Sequence, residues 1–387
     1  MKSAVIIDAV RSPIARAHAE TGWFRDVRAD DLSAHIMKAL VERTGIDPTL
    51  VDDVQWGCVQ QQGEQGFNIA RNAALIAGLP VETAATTVNR LCASSLQAVN
   101  NAAMSILANA EDVQIAGGVE HMDHIPMNKD YNPSPMMFHH HCEGVMQMGL
   151  TAEYLTMKYS ISRQQQDEFS VRSHQLAGAA TDKGLFKNEI IPVWGRNENG
   201  IKTLVAEDQS IRRDTSLEGL SKLPAAFNPA GGSVTAGNSS PMNVGAAALL
   251  VMSEDKAKEL GLKPIARVRA MASAGVNPEE MGIGPVPAIQ KALKRAGLKL
   301  EDINIMELNE AFAVQVLSVG RLLGLDIEKN KINLRGGAVA IGHPLGASGA
   351  RICTTLLHRM RDEGAKYGLA SMCVGGGQGT CTIFEAV

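Results

Sequence analysis

Apolar runs of strand length alternate with segments of helical periodicity along this chain, and the same alternation returns near the C-terminus. The predicted strands are residues 4–10, 54–59, 113–117, 266–274, 303–308 and 367–373. The predicted helices are residues 32–43, 68–77, 94–108, 288–296, 311–323 and 346–360. Because strands and helices that alternate in this way form a sheet covered by helices, the predicted fold class is α/β.

The returning order resembles an internal repeat. Residues 38–54 carry Lys-Ala-Leu, a glycine and a short apolar and acidic segment, and residues 291–303 carry the same features. Cys92 opens a helix that leads to a strand ending in paired glycines, and Gly346 opens a second helix followed by the same order. The pattern indicates two copies of one α/β unit packed back to back. Chance matching in a chain rich in Ala, Leu and Gly is the alternative.

A stretch of different character separates the two copies. Residues 119–241 hold six of the ten histidines and two further predicted helices, 151–159 and 163–183. Long insertions on α/β scaffolds usually shape a substrate site. We therefore expect three parts along the chain. They are an N-terminal half at 1–118, completed by about 242–262, an inserted loop domain at 119–241, and a C-terminal half at 263–387.

Composition excludes several classes of protein. Hydrophobic residues make up 45% of the 387 residues and charged residues 20%, which is typical of a globular chain and unlike a disordered, collagen-like or coiled-coil one. The net charge is −4 and no run of like charge stands out. Binding to nucleic acid or to a membrane surface therefore has no electrostatic support.

The cysteines and the N-terminus indicate a cellular compartment. The six cysteines form no CxxC pair and no metal-ligand spacing, so we expect free thiols, no bound metal, and any special cysteine to be catalytic. The apolar run after Met1 is too short for a signal peptide, and no run reaches the roughly 18 residues of a membrane helix. These features predict a cytoplasmic protein without membrane insertion.

Two cysteines occupy positions suited to chemistry. Cys92 lies directly before a predicted helix, where the helix dipole and free N–H groups favour a thiolate, or it is a small buried residue at a strand–helix junction. Cys373 ends a predicted strand and is followed by Gly375 and other glycines. Their N–H groups suit an oxyanion hole, and a hairpin turn with a core cysteine is the alternative.

Two polar residues occupy similar junctions in the second copy. His343 lies in a glycine-rich turn before a helix, where it serves either as a general base for a thiol or as a capping residue. Asn309 lies where a strand becomes a helix, and it either caps that helix or orients a water or an oxyanion. Because the repeat places Cys92 and the His343 turn at equivalent junctions, we expect both in one pocket.

Taken in chain order, the four stretches around these residues resemble the four active-site motifs of the thiolase family. The likeness covers essentially the whole chain. They are residues 88–95 around Cys92, Asn-Glu-Ala-Phe-Ala at 309–313, Gly-His-Pro-Leu-Gly at 342–346 and Cys-Val-Gly-Gly-Gly-Gln-Gly at 373–379. Residues 65–72 and 117–122 are similar to family members that degrade fatty acids. The resemblance implies a five-layered αβαβα fold of two duplicated halves, with an inserted loop domain that binds coenzyme A.

The resemblance also implies a role for each candidate residue. Cys92 would be the acylated nucleophile, His343 its proton acceptor and Cys373 a second acid and base. Asn309 would hold a water in one oxyanion hole. The backbone N–H groups of Gly375 and Cys92 would form the other hole.

Coenzyme A is expected as a substrate and not as a permanently bound cofactor. The resemblance implies contacts to it from Ser240 and Met148. Arg212 is a candidate for binding its phosphates, with Lys222 and Arg213 as further candidates. Solvated surface charges are the alternative for these three cations.

Three features concern departures from the family pattern. Ala93 stands where many relatives have glycine, a change too small to affect catalysis. Residues 223–227 lack an arginine that relatives often carry, so one phosphate contact is expected to be missing. The run His139-His140-His141 is expected in a solvated or acyl-site loop, because adjacent histidines in a helix or strand do not converge on one ion.

The implied activity is that of an acyltransferase that cleaves a 3-oxoacyl-CoA with coenzyme A, giving acetyl-CoA and an acyl-CoA shortened by two carbons. Acetoacetyl-CoA synthesis by the same residues is the alternative, and a non-catalytic acyl-CoA or lipid carrier is a remote one. The resemblance further implies a homodimer or dimer of dimers, and association with a hydratase/dehydrogenase subunit of a fatty acid oxidation complex.

Overall fold

The computed structural model describes residues 2–127, 129–327 and 329–387. The strands are β1 (Ala4–Arg11), β2 (Ala15–Arg16), β3 (Asp53–Gly57), β4 (Ala84–Val88), β5 (Val113–His121), β6 (Val193–Arg196), β7 (Lys202–Val205), β8 (Asn243–Ser253), β9 (Ala266–Gly275), β10 (Ile305–Leu308), β11 (Tyr367–Val374) and β12 (Gln378–Ala386). The α-helices are α1 (Ala29–Thr44), α2 (Ile69–Ile76), α3 (Ser94–Leu107), α4 (Met148–Lys158), α5 (Arg163–Asp182), α6 (Leu217–Ser221), α7 (Glu254–Glu259), α8 (Pro285–Ala296), α9 (Ala313–Leu323) and α10 (Ser348–Glu363). Short 3₁₀ turns cover Pro48–Leu50, Gly63–Gln65, Pro135–His139, Glu143–Met146, Pro278–Ile283 and Leu300–Asp302.

One mixed sheet contains most of these strands, in the order β10-β11-β12-β9-β1-β8-β5-β3-β4. Strand β2 pairs with β8 beside this path, and β6 and β7 form a separate hairpin. The sheet is continuous only through a short contact at its centre, where Val5 pairs with Arg267 and Ile6 with Ala266. This narrow link divides the sheet into an N-terminal and a C-terminal part.

The two parts of the sheet repeat one another. In the N-terminal part β3 lies parallel to β4 and β5, and β8 lies antiparallel to β5 and β1. In the C-terminal part β10 is parallel to β11, and β12 is antiparallel to β11 and β9. Ile332 forms a parallel bridge with Met306 of β10, at the place that β4 occupies in the other part. The internal repeat that the sequence predicted is therefore present in the structure.

Helices cover both outer faces and fill the space between the two parts of the sheet. Helices α1 and α2 pack on the outer face of the N-terminal part, and α8 and α9 pack on that of the C-terminal part. Helices α3 and α10 lie in contact with each other between the two parts and are largely buried. The predicted α/β class with αβαβα layers is confirmed.

The segment between β5 and β8 contains α4, α5, α6 and the β6–β7 hairpin. Helix α5 begins with a capping box in which Ser162 and Gln165 each bond the other's backbone. Strand β5 runs to His121, three residues beyond the boundary expected at 118, so that boundary falls within a strand. Among the described helices, none combines the length and apolar character that crossing a bilayer requires.

The contact between α3 and α10 depends on a glycine. Two Gly→Ala substitutions, one at this contact and one away from it, should therefore have different effects on the midpoint of thermal unfolding. A Cβ on Gly349 of α10 would lie 2.2 Å from the backbone nitrogen of Leu96, whereas a Cβ on Gly320 of α9 would meet only Ile327 at 3.5 Å and Leu325 at 3.7 Å. We expect Gly349→Ala to lower the midpoint of thermal unfolding, because overpacking typically costs about 1–3 kcal/mol. Gly320→Ala should leave it unchanged or raise it, since alanine is favoured in a helix by about 1 kcal/mol. Equal midpoints for the two variants would contradict this packing.

Candidate active site

Cys92 lies at the N-terminus of α3, after a turn that is fixed by local hydrogen bonds. Leu91 adopts the left-handed conformation with a φ of 45°, which is uncommon for a bulky residue. The Oδ1 atom of Asn89 accepts the N–H of Leu91 at 2.9 Å, and the hydroxyl of Ser94 donates to the carbonyl of Leu91 at 2.6 Å. The first turn of α3 has no side-chain cap. This turn sets the direction of the Cys92 side chain.

Burial dominates the acidity of the Cys92 thiol. It raises the pKa of Cys92 to about 11, while the backbone N–H groups of Gly375 and of Cys92 itself act in the opposite direction as donors to the sulfur. The charge of Glu120 raises the pKa further. The sequence prediction of a thiolate favoured by the helix N-terminus is therefore wrong for this structure, since burial outweighs the donors. Cys92 rests as a thiol and needs a base.

Cys373 is a second thiol at the end of β11. It is buried in a hydrophobic cluster that includes Ala311, Phe312 and Met148. Burial raises the pKa of Cys373 above its usual range, and Cys92 adds to the shift, so the two sulfurs interact electrostatically. Cys373 is thus a neutral proton donor at rest.

Gly375 lies between the two reactive segments. A Cβ at this position would lie 3.1 Å from Cδ1 of Leu91 and 3.5 Å from the sulfur of Met148. The glycine therefore leaves its N–H unobstructed beside the Cys92 sulfur. Two backbone N–H groups that point at one sulfur are suited to hold the oxygen of an acyl group attached there.

His343 is oriented on both sides by hydrogen bonds. Its backbone N–H donates to Oδ1 of Asn243 at 2.9 Å, and its Nδ1 lies 2.6 Å from Oγ of Ser348. Because the Ser348 hydroxyl donates to the carbonyl of Pro344 at 2.8 Å, it accepts from Nδ1–H, and this network assigns an unprotonated Nε2. Burial, with a contribution from Arg351, lowers the pKa of His343 to about 3. His343 is therefore a neutral base.

Asn309 faces the Nε2 atom of His343. Its Nδ2 lies 3.3 Å from that nitrogen, and its buried Oδ1 has no hydrogen-bond partner within the described ranges. Helix α9 begins only at Ala313, with Phe312 in the capping position. The interpretation of Asn309 as a helix cap is therefore wrong, and its free carbonyl oxygen is placed to hold a polar group.

These residues lie at the carboxyl ends of strands from both parts of the sheet. Cys92 follows β4, Asn309 follows β10 and Cys373 ends β11. No hydrogen bond joins Cys92 to His343 in the part of the chain that the structure describes. Hydrogen bonds between catalytic groups are often long in the absence of substrate and shorten when it binds. A cavity of about 650 Å³ lies elsewhere, beside Lys366 near the opposite end of β11.

The candidates for contact with coenzyme A border the same region. The backbone N–H of Ser240 donates to the carbonyl of Ala311 at 3.0 Å, which places its loop beside the Asn309 segment. Met148 begins α4 and lies next to Gly375. Arg212 lines a cavity of about 60 Å³ together with residues 236, 237 and 241 of the Ser240 loop.

The other two candidate cations have acidic partners. Arg213 pairs with Asp182 at 2.9 Å, and Lys222 pairs with Glu218 at 2.6 Å. For the Arg212 side chain, no ion pair is found among the described residues. Of the three candidate cations, Arg212 is therefore the one that the ion pairs of the described residues leave without an acidic partner.

The run of three histidines lies at and after the end of a surface turn. His139 ends a 3₁₀ turn that begins at Pro135, and the run is exposed or half-buried. In the described ranges, no group of three or more potential ligands is arranged to hold a metal ion.

Several supporting residues were not predicted from the sequence. Asn243 and Ser348 fix the His343 turn, and Glu120 lies buried between the two halves. Ser348 follows His343 by five residues in the same glycine-rich stretch, so its position in the sequence could have indicated a contact with the histidine. A glutamate inside the apolar run at 113–122 was another.

A half-buried cysteine with backbone donors at its sulfur, a neutral histidine and a second thiol together form the site of an acyltransferase that works through a cysteine. The family comparison agrees. The description "Thiolase, N-terminal domain" matches residues 4–255 and "Thiolase, C-terminal domain" matches residues 262–386, and the chain belongs to the thiolase family.

Individual relatives cover the whole chain. It is 55% identical to a curated protein named 3-ketoacyl-CoA thiolase from Photobacterium profundum, and 54% identical to one of the same name from Vibrio vulnificus, over 100% of both chains in each case. Two solved structures share the fold over 100% of this chain and 99% of theirs. They are human mitochondrial 3-ketoacyl-CoA thiolase (38% identity, TM-score 0.91) and Bacillus anthracis acetyl-CoA acetyltransferase (40%, 0.90).

The two thiols are expected to fail in different ways when replaced. Cys92→Ala should abolish transfer of a radiolabelled acetyl group from acetyl-CoA to the protein, because it removes the sulfur that the N–H groups of Gly375 and Cys92 face. Cys373→Ala should still become acetylated, since a coenzyme A thiolate leaves without much help from an acid. Its carbon–carbon cleavage should fall by about 10²–10⁴, the usual contribution of a positioned general acid.

Mass spectrometry of acid-quenched, digested protein measures the acylated residue, with the exposed Cys142→Ala as the matched control. An acyl group on Cys373, or near-normal cleavage by Cys373→Ala, would contradict the two roles.

Proposed function

We propose that this chain is a 3-ketoacyl-CoA thiolase that catalyses the last step of fatty acid β-oxidation. The observation that carries the proposal is the Cys92 sulfur, which receives the N–H groups of Gly375 and of Cys92 and lies within electrostatic reach of the Cys373 thiol. Curated proteins with this name share 54–55% of the sequence over the full length.

The first half of the reaction breaks a carbon–carbon bond. Nε2 of His343 takes the proton of the Cys92 thiol, and the sulfur attacks the C3 carbonyl of the 3-oxoacyl-CoA. The C2–C3 bond then breaks, leaving an acyl thioester on Cys92 and the carbanion of acetyl-CoA, to which Cys373 gives its proton. The negative charge that develops on the thioester oxygen of the departing acetyl-CoA carbanion is stabilised by a water held at Oδ1 of Asn309, an atom otherwise unpartnered in the described chain.

The second half transfers the acyl group to coenzyme A. The Cys373 thiolate takes the proton of the incoming thiol, whose sulfur attacks the thioester on Cys92. The backbone N–H groups of Gly375 and Cys92 stabilise the second oxyanion. The thioester bond to Cys92 breaks, His343 returns its proton to the sulfur, and both thiols regain their starting state.

Coenzyme A enters as a substrate and leaves as a product. Ser240 and Met148 flank its pantetheine arm, since the loop of one is bonded to the Asn309 segment and the other lies beside Gly375. Arg212 binds a phosphate group of the nucleotide. The residues between β5 and β8 thus act as the loop domain for coenzyme A, inserted into the N-terminal half.

Acetoacetyl-CoA synthesis uses the same residues in the opposite direction. The likeness to the acetyl-CoA acetyltransferase of Bacillus anthracis, at 40% identity, keeps this as the second candidate. The higher identity to curated 3-ketoacyl-CoA thiolases favours degradation. A carrier without catalysis would have no use for two neighbouring thiols and a neutral base.

One assay decides between these functions. It measures the rate of cleavage of 3-oxoacyl-CoA substrates of about four to sixteen carbons, with and without free coenzyme A. We expect turnover that requires coenzyme A and releases acetyl-CoA, because Cys373 protonates the departing acetyl-CoA carbanion and then takes the proton of the incoming coenzyme A thiol. Condensation of acetyl-CoA without cleavage of longer substrates would identify the synthase instead. Stoichiometric binding without turnover would identify a carrier.

We also propose that the chain forms a homodimer, or a dimer of dimers, in the cytoplasm. Strand β4 is the edge of the sheet and is hydrogen-bonded on one side only in the described chain. Beside it, Phe67 is 99% exposed with a left-handed φ of 50°, and Val81 is 71% exposed. An open strand edge next to exposed apolar side chains is suited to pairing with a second copy. Because a 3-oxoacyl-CoA arises by hydration and oxidation of an enoyl-CoA, a hydratase/dehydrogenase subunit is the proposed further partner.

Sedimentation at micromolar concentration tests the dimer. The doubly substituted variant Phe67→Glu/Val81→Glu should shift the chain to monomer, because two charges would then face each other across the pairing surface. Trp194→Glu on β6, which removes an equally hydrophobic side chain that is 59% exposed, is the control and should remain dimeric. A monomeric unsubstituted protein, or a shift only with Trp194→Glu, would contradict the proposed surface.

A further inference from the structure

The turn that carries His343 is pressed against the strands of the N-terminal half. A Cβ on Gly346 would lie 2.3 Å from the carbonyl oxygen of Val119, and a Cβ on Gly118 would lie 2.2 Å from the carbonyl oxygen of Gly346. Gly57 at the end of β3 is similar, because its Cβ would lie 2.8 Å from that same oxygen. Backbone therefore touches backbone where the two halves meet, three residues after His343.

One buried carboxylate holds this contact together. Oε2 of Glu120 accepts the N–H of Gly346 at 2.9 Å and that of Val59 at 3.0 Å. Its Oε1 accepts the N–H of Gln60 at 3.0 Å and the side-chain amide of Gln65 at 2.9 Å. Glu120 is fully buried, and none of these four partners carries a positive charge. The carboxylate thus joins the His343 turn to the loop after β3 through donors alone.

The chemistry of this site requires a carboxylate in particular. Four donors converge on two oxygens, and an ionised carboxyl group offers acceptors only. A glutamine would present an NH₂ group to two of the donors, whichever way its amide were turned. An aspartate, shorter by one methylene, would not reach Gly346 and Gln60 together from the same backbone position.

Glu120 also lies close to the nucleophile without a part in the reaction. Its charge raises the pKa of Cys92, so the carboxylate by itself makes the thiol harder to ionise. Loss of the charge alone would therefore make Cys92 more reactive. A requirement for Glu120 in the reaction must come from geometry instead.

We propose that Glu120 is a positioning residue, which sets the placement of His343 relative to Cys92 by bonding the Gly346 backbone to the loop after β3. The inference rests on the proposed function only for the roles of Cys92 and His343. A displacement of about 1 Å between reacting groups commonly costs on the order of 100-fold in rate. Glu120 itself touches neither substrate nor the reacting atoms.

The test is the single-turnover rate constant for acylation of Cys92 by acetyl-CoA in Glu120→Gln and Glu120→Asp. We expect both variants to be slower by about 10-fold to 100-fold, with the KM for coenzyme A within about twofold of the unsubstituted enzyme. The control is Asp52→Asn, since Oδ2 of Asp52 accepts the N–H groups of Asp112 and Val113 at 2.9 Å each, at the opposite end of β5. A rate constant per acylated site does not depend on the fraction of protein that folds.

The outcomes separate the explanations. Slower acylation in both variants, with Asp52→Asn unchanged, supports the positioning role even if the thermal midpoints fall. A normal rate constant in Glu120→Asp, or a faster one in Glu120→Gln, would overturn it and leave only a structural or electrostatic effect. If the unsubstituted enzyme is not acylated at Cys92, the proposed function fails and not this inference alone.

Discussion

The packing of α3 against α10 is the contact on which the rest of the structure depends. The two parts of the sheet share only a short pairing between β1 and β9, so these two helices hold the halves together. The N–H of Ala350 donates to Oγ of Ser95 at 2.9 Å across the contact. Cys92 directly precedes one helix and His343 lies shortly before the other, so the contact that joins the halves also brings the nucleophile and the base to one place.

Burial at this junction gives the reactive groups their resting charge. It raises the pKa of Cys92 to about 11 and lowers that of His343 to about 3, so both are neutral near pH 7. The sign of each shift follows from the cost of a charge in an apolar environment. Arg351 adds to the effect on His343, and no described residue accepts a hydrogen bond from its buried guanidinium. Cys92 and His343 therefore become charged only during the reaction. The donors of the oxyanion holes then stabilise the negative charge that forms on the substrate oxygens.

Much of the architecture was predictable from the sequence because burial leaves periodic patterns. The strands β1, β3 and β11 and the helices α3 and α10 were predicted within a few residues of their observed bounds. Strand β8 was not predicted as a strand, because it is buried on both faces and its alanine-rich run has no alternation. The exposed edge strand β4 was also missed, since its mixed polar sequence has no clear period.

The candidate site was predictable in its residues but not in its energetics. The four motifs identified Cys92, Asn309, His343 and Cys373. The first three lie before a helix, and Cys373 lies at the hairpin between β11 and β12. The sequence predicted a lowered pKa for Cys92, and the structure gives a raised one. The balance between burial and N–H donors could not be predicted, because it depends on residues distant in sequence. The hydrogen bonds of Glu120 to residues 59, 60 and 346 depend on the same kind of contact.

The claim that Cys92 and His343 are both neutral before substrate binds is tested most directly by the ultraviolet absorbance of thiolate. It is recorded as the difference between the unsubstituted enzyme and Cys92→Ala across about pH 6 to pH 9. With the pKa of Cys92 near 11, the difference should stay close to zero throughout this range, because the thiol remains protonated. One equivalent of thiolate at pH 7 would show that Cys92 and His343 rest as an ion pair, and would contradict the account.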